Sequence, residues 1–345
     1  MYILAIETSC DDTCGAVLHN DRILSNIISS QINLHSVYGG VVPDIAKRAH
    51  QQRLPAIVTL ALKRSGKTLK DINLIAATRG PGLGIALSIG FNFAKDLAKT
   101  NHIPFVAVNH VEGHLLSVFL KNKNGLPRFT SSFPILGLTV SGGHTKLVLI
   151  KEIGDYQVVG ETLDDAAGEA LDKSAKLLGL GYPGGPVIER IATAGQTDFL
   201  KLPRPLQPRR ILNFSFSGLK TSFYYQIKDW SATKIASCLS DLSATFQASV
   251  FEHLIRKFSL SIDKYHPASL LASGGVLANL TLRRQLRKFA KTKSLPIFFP
   301  PQKKLNTDNA AMIALVAFYR FQKDKSINDS KLDINPRLEL FQEIQ

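Results

Sequence analysis

The chain has 345 residues, room for two domains or three small ones, and with 45% apolar and 20% charged residues it can bury a large core, so global disorder is excluded. Lys and Arg total 42 against 27 acids, a net charge of +15 that points to a polyanion as partner, substrate or cofactor. Three cysteines (Cys10, Cys14 and Cys238) exclude a disulfide scaffold and suit a reducing cytosol.

The N-terminus, MYILAIETSCDDT, has no basic leader, and its apolar stretch ends at Glu7. It reads as a strand of the mature fold rather than a signal peptide. No apolar run approaches the ~18–20 residues of a membrane span, so no membrane partner and a cytoplasmic location are expected. The turn Ser9–Thr13 follows. There Asp11 and Asp12 can orient a metal, a water or a reacting amine, or can simply form the turn. Cys10 and Cys14 have the wrong spacing for a zinc knuckle and read as small packed residues.

The segment ILAIETSCDDTCGAVL from Ile3 aligns without gaps with ILGLTVSGGHTKLVLI from Ile135, at an offset of 132. Ile3, Leu4, Ser9 and Thr13 match Ile135, Leu136, Ser141 and Thr145. Each copy predicts a β-hairpin. The spacing suits a duplicated half-molecule, hence two similar lobes with a cleft between their turns. Turn amides in such a place bind phosphate.

Further along, DINLIAATRGPGLG predicts a buried strand and a Gly/Pro turn before the helix IALSIGFNFAKDLAKT, and HIPFVAVNH a strand feeding a helix. On that helix His110 and His114, spaced i and i+4, share a face and can reach one ion. Spacing alone leaves open an ordinary helix face and supplies no third ligand. Glu112 falls roughly 160° from the face, so the zincin general base is missing.

Thr139, Val140, Ser141, Gly142 and Gly143 form the second hairpin turn, where paired glycines let a ligand approach the backbone. Residues 162–248 have few strand signals and are expected to be mostly helical. Within them lies the glycine turn Tyr182–Pro186, flanked by Asp172 and Glu189, carboxylates that can accept from a ribose or be plain surface charges. PASLLASGGVLANLTLRRQLRKFAK predicts a strand, a Gly-Gly turn and a basic helix, with Asn279 able to meet a base or ribose. The polar residues after Lys323 are expected to be loosely ordered.

The charge surplus sits in two acid-free blocks. One, from Phe199 to Lys228, contains Lys201, Arg204, Arg209, Arg210, Lys220 and Lys228; the other runs from Lys264 to Thr307. In the second, Arg283, Arg287 and Lys291, and likewise Arg284 and Lys288, recur every four residues as a helical stripe. A solvated helix face explains one such stripe; two blocks favour a phosphate backbone as partner.

The motifs IETSCDDT, VVPDIAKRAH, TRGPGLG, NHVEGH, VSGGHT, DDAAGEALDKSAKLLGLGYPGGP, NFSFSGLKT, SGGVLAN and NTDNAAMIA occur together and in order. Over about residues 2–325 the chain resembles the bacterial TsaD family of tRNA threonylcarbamoyladenosine synthesis proteins, related to Kae-type proteins. The resemblance implies an α/β actin/sugar-kinase/Hsp70-like fold with duplicated lobes and a central nucleotide cleft. Residues 1–134, completed by about 308–325, would form one lobe, 135–307 the other, and 326–345 a polar tail.

It implies transfer of a threonylcarbamoyl group from threonylcarbamoyl-AMP to the exocyclic amine of the tRNA adenosine 3′ of the anticodon. It also implies one divalent metal, Fe2+ or alternatively Zn2+, on His110, His114 and Asp308. The nucleotide substrate would be held by Thr139 to Gly143, Asp172, Gly185, Glu189 and Asn279. Accessory proteins of the TsaB and TsaE type are implied as partners. Asp11 and His144 are the candidates for the proton acceptor.

The chain departs from the family pattern at Asp12, where Glu is usual, at TRGPGLGIAL, and at Gly181, where Asp is frequent. The competing readings are a metal-dependent endopeptidase, disfavoured by the register of Glu112, and a sugar- or acetate-type kinase, which would leave the histidine pair unexplained.

Overall fold

The computed structural model describes residues 1–127, 132–208 and 210–340; Arg209, one of the cations named above, lies outside them. The chain divides into two compact units: unit 1 is Met1–Thr130 with Phe299–Gln345, and unit 2 is Ser131–Phe298.

Unit 1 opens with β1 (Tyr2–Glu7), β2 (Asp12–His19) and β3 (Arg22–Ser30), then α1 (Ile32–His35), α2 (Pro43–Ser65), β4 (Leu74–Gly80), α3 (Gly84–Thr100), β5 (Phe105–Asn109) and α4 (His110–Leu116). Unit 2 contains β6 (Ile135–Val140), β7 (Thr145–Glu152), β8 (Asp155–Glu161), α5 (Ala167–Leu177), α6 (Gly184–Ala192), α7 (Ser217–Ile227), α8 (Ala232–Ser237), α9 (Leu239–Tyr265), β9 (Ser269–Ser273), α10 (Leu280–Thr292) and β10 (Ile297–Phe298). The chain then returns to unit 1 with α11 (Ala310–Lys323).

The two sheets have one topology. Their strand orders are β3-β2-β1-β4-β5 and β8-β7-β6-β9-β10. In each, a three-stranded antiparallel meander is extended by two parallel strands. The duplication seen in the hairpins thus runs through all five strands.

Strands β1, β5, β6 and β9 are buried almost throughout, as expected where parallel strands have helices on both faces. Leu4 and Ile6 pack with Leu54 and Val58 of α2 and with Phe91 and Ala94 of α3. The alternate residues turn to the other face, and α11 packs against β1 and β2. Residues Ala310 to Ala317 of α11 are all buried. No helix among the described residues is long and apolar enough to cross a membrane.

Residues 162–248 are mostly helical, as expected, carrying α5 to α8 and the start of α9 with an irregular stretch at 195–208. One expectation needs correction. The segment after Lys323 is not a loose tail. Asp329 donates its amide to the carbonyl of Phe105 (2.7 Å) and accepts the Ala107 amide (2.9 Å). The Asn335 amide reaches the carbonyl of Arg79 (2.9 Å), and Leu338 is buried. Gly80 is where this segment comes closest, since a Cβ there would stand 1.8 Å from the carbonyl oxygen of Asn335. Polar composition hides the packing because backbone groups and a few side chains make it.

Candidate metal and nucleotide sites

In unit 1, β5 delivers the chain to α4, and Asn109 caps that helix by accepting the Val111 amide (2.8 Å). His110 and His114 follow at the i, i+4 spacing, both buried, with ring centroids 4.7 Å apart. Asp308, just before α11, meets them: one carboxylate oxygen lies 3.6 Å from Nε2 of His110 and 3.1 Å from Nε2 of His114. The three residues offer donor atoms within 4.8 Å of one another and can hold a metal ion. Two imidazole nitrogens aimed at a single carboxylate oxygen form a donor set that a cation satisfies well. His114 also keeps a buried Nδ1 with no hydrogen-bond partner.

Glu7, at the end of β1, is the residue that spacing did not single out. Fully buried, it sits 3.0 Å from Nδ1 of His110 and accepts from the Ser9 amide and the Thr78 hydroxyl. This is the carboxylate–histidine arrangement that fixes a metal ligand's tautomer and orientation. The one available signal was a charged residue closing an otherwise apolar strand.

Charge is concentrated here. Burial opposes ionisation of His110, but Asp308 and Glu7 outweigh it and raise its pKa to about 9. Burial holds His114 below its ordinary value. Glu7 is lowered, the attraction of His110 overcoming burial. Asp11 is raised by burial and the Asp308 charge, and Asp12 by the same causes to about 7. The turn carrying them is pinned at Gly82, whose φ of +157° suits glycine and whose added Cβ would stand 2.6 Å from the carbonyl oxygen of Ser9.

In unit 2 the second turn closes tightly, the Ser141 amide donating to the His144 carbonyl (2.8 Å) and the Ser141 hydroxyl accepting the His144 amide (3.0 Å). Thr139 and Val140 are buried at the end of β6. Gly142 and Gly143 are exposed, and a Cβ at either would meet nothing within 4 Å. Their value is therefore open space beside the backbone. The start of α5 abuts the turn: Gly168 donates to the Ser141 carbonyl (3.2 Å), and Ala167 donates to the Thr145 hydroxyl (3.0 Å).

The remaining predicted residues form a chain of caps. Asp172 accepts the amides of Gly184 (2.8 Å) and Gly185 (3.0 Å), tying α5 to the start of α6. Glu189 on α6 accepts the Leu280 amide (2.7 Å) at the start of α10. Asn279 caps α10 by accepting from Thr281 and Leu282, and donates to Gln247 (2.8 Å). Thus Asp172, Gly185, Glu189 and Asn279 are one connected set. The motifs DDAAGEA and NFSFSGLK also meet, through Asp164 with Ser215 and Phe216 and through Asp165 with Lys220.

Residues 22–315 match the sequence profile described as TsaD: tRNA N6-adenosine threonylcarbamoyltransferase. This chain belongs to the TsaD family. Relatives bearing that enzyme name include one from Geotalea uraniireducens, 44% identical over 92% of this chain and 91% of its own length. Another, from Thermodesulfovibrio yellowstonii, is 45% identical over 99% of this chain and 100% of its own.

Solved structures agree on the fold. HypF of T. kodakarensis superposes with a TM-score of 0.62 at 13% identity, covering 93% of this chain and 48% of its own. Component A of the Acidaminococcus fermentans (R)-2-hydroxyglutaryl-CoA dehydratase gives 0.53 at 15% identity, covering 93% and 98%. The fold is of the actin/sugar-kinase/Hsp70 type. For a TsaD-family chain the transferase reading holds, and neither the endopeptidase nor the kinase reading is favoured.

Proposed function

We propose that this chain transfers the threonylcarbamoyl group of threonylcarbamoyl-AMP to the exocyclic amine of the tRNA adenosine 3′ of the anticodon. Membership of the transferase family carries the reading. The donor is a mixed anhydride with a good leaving group, so no covalent enzyme nucleophile is required. The amine nitrogen bonds to the carbamoyl carbon, the bond to the phosphate oxygen breaks, AMP departs, and one amine proton must be accepted.

The turn Thr139–Gly143 suits an anionic nucleotide, because open space lies beside the exposed backbone of Gly142 and Gly143. Asp172, Gly185, Glu189 and Asn279 hold that arrangement rigid through their caps. Rigid placement of donor and acceptor supplies much of the rate in a transfer of this kind.

His110, His114 and Asp308 would hold a divalent ion. Two imidazoles and one carboxylate suit Fe2+, with Zn2+ the alternative. When bound, such an ion polarises a carbamoyl or phosphate oxygen. Glu7 keeps His110 in place for it. Asp11, raised from its ordinary value by burial and the Asp308 charge, has the greater proton affinity an acceptor needs, and His144 is the second candidate. Accessory proteins of the TsaB and TsaE type and a cytoplasmic location complete the reading.

The test is incubation of the protein, with and without those accessory proteins, with threonylcarbamoyl-AMP and unmodified tRNA. Nucleoside mass spectrometry is expected to show threonylcarbamoyladenosine in step with AMP release. AMP release with no modified nucleoside under either condition would refute the reading.

A further inference from the structure

Acid-free blocks in the sequence are not acid-free surfaces once folded. Arg204 pairs with Glu252 at 2.7 Å, Lys220 with Asp165 at 2.7 Å and Lys293 with Asp263 at 2.6 Å. Lys303 and Lys304 belong to unit 1, apart from the other members of their block. What is left in unit 2 is concentrated on α10.

That helix is strongly two-faced. Leu282, Leu286 and Ala290 are buried, whereas Arg284, Lys288 and Lys291 are exposed on the other side. Arg284 folds its guanidinium toward its own helix, to the Leu280 carbonyl and the Thr281 hydroxyl (both 3.3 Å). Among the described residues, none of the three is in an ion pair. Crowding of like charge is tolerated as well: burial and the Arg287 charge hold Arg283 below its usual value.

A groove of about 1010 Å³ runs beside the helix. Gln285, Lys288 and Thr292 border it on the α10 side, and Ile255, Ser259 and Leu260 on the α9 side. Lys288 therefore stands at the lip of a trough that Arg256, Glu252 and Asp263 also line, the two acids each paired with a cation, Arg204 and Lys293.

We propose that the exposed face of α10, with this groove, holds the phosphate backbone of the RNA substrate, Arg284, Lys288 and Lys291 making the contacts. The proposal rests on the tRNA reading above and assigns it a surface. Between Arg284 and Lys291 the helix makes two turns, about 10 Å, with no acid interposed. An acidic protein would be met better by mixed charge and an aromatic centre, since lysine is depleted from protein interfaces. Solvated, mobile cations in a row suit a repeating anion, where the gain comes from released counterions and no base need be read.

Binding of unmodified tRNA is measured by fluorescence anisotropy across a salt series. The triple variant Arg284→Ala, Lys288→Ala, Lys291→Ala leaves the buried face of α10 intact. It is expected to weaken tRNA at least tenfold at ~0.1 M salt and to flatten the log–log salt slope by roughly 2. Gln285→Glu, which adds a carboxylate between Arg284 and Lys288 at the groove, is expected to weaken binding severalfold. A control triple on exposed cations of unit 1, Lys63→Ala, Arg64→Ala, Lys70→Ala, removes the same net charge and is expected to leave affinity nearly unchanged.

Wild-type affinity and slope in the α10 triple, or an equal loss in the control triple, overturns the proposal. So does unchanged tRNA binding with activity lost only when accessory proteins are present, which would make the face a protein surface. If the wild type binds tRNA with this signature but never modifies it, the functional reading fails while this surface stands.

Discussion

His110 is held between Glu7 on one ring nitrogen and Asp308 on the other. In chelator, with no metal competing, its pKa of about 9 stands above the ordinary 6.5. Such a group stabilises the fold fully below pH 6.5, and that contribution is lost as pH rises through 9. Asp12, raised from 3.8 to about 7, has the same sign, its contribution being lost between those values. Chelated protein is therefore expected to show a urea midpoint that falls from pH 6.5 to 9. Glu7→Gln removes one of the charges that raise His110 and should flatten that fall. It should also weaken metal binding about 10- to 100-fold, as loss of an orienting partner does. Parallel midpoint curves for variant and wild type, with equal metal retention, would contradict this role for Glu7.

Helix starts in unit 2 are joined by side chains rather than by apolar packing alone. Asp172 supplies the acceptor for two amides at the start of α6. Asp172→Ala is expected to cost about 1–2 kcal/mol, the usual scale for a lost cap, and to lower affinity for threonylcarbamoyl-AMP by disturbing Gly185. Asp172→Asn retains an oxygen in place and should keep most of both. Calorimetry alongside thermal unfolding separates the cases. Equal affinity losses in the two variants would mean that the carboxylate charge itself meets the ligand. The alternating caps were not visible in the sequence, where Asp172 and Glu189 stood only as carboxylates flanking a glycine turn. Which amide a carboxylate finds depends on the packing of α5 against α6, and Gly184 permits that packing: its added Cβ would fall 2.2 Å from Ala175 Cβ.

Taken as a whole, unit 1 is closed by its own C-terminal segment. Lys95 donates to the Leu332 carbonyl (2.9 Å), Arg320 pairs with Asp329 (3.2 Å), and Asn109, the cap of α4, donates to the Glu339 carbonyl (3.0 Å). Truncation after Lys325 is therefore expected to lower the melting temperature of unit 1. It should also weaken metal retention, because β5 and the start of α4 lose partners. Unit 2 should melt as before. Hydrogen exchange resolves the two: faster exchange confined to β4, β5 and α4 is the expected pattern, and unchanged exchange there would show the segment to be dispensable.

The amino-acid sequence by itself determined what depends on short periods: the two hairpins, their repetition at an offset of 132, the histidines sharing a helix face, and the ordered family motifs. Tertiary structure decided what depends on distant strands meeting. Asp308 lies 194 residues beyond His114, and Glu7 lies 103 residues before His110. Only the register of β1, β4 and β5 and the return of the chain through α11 bring them to one place. The same holds for charge. Arg204, Lys220 and Lys293 stand in acid-free runs, yet each folds onto a carboxylate, because electrostatic pairing is set by distance in space and not by distance along the chain.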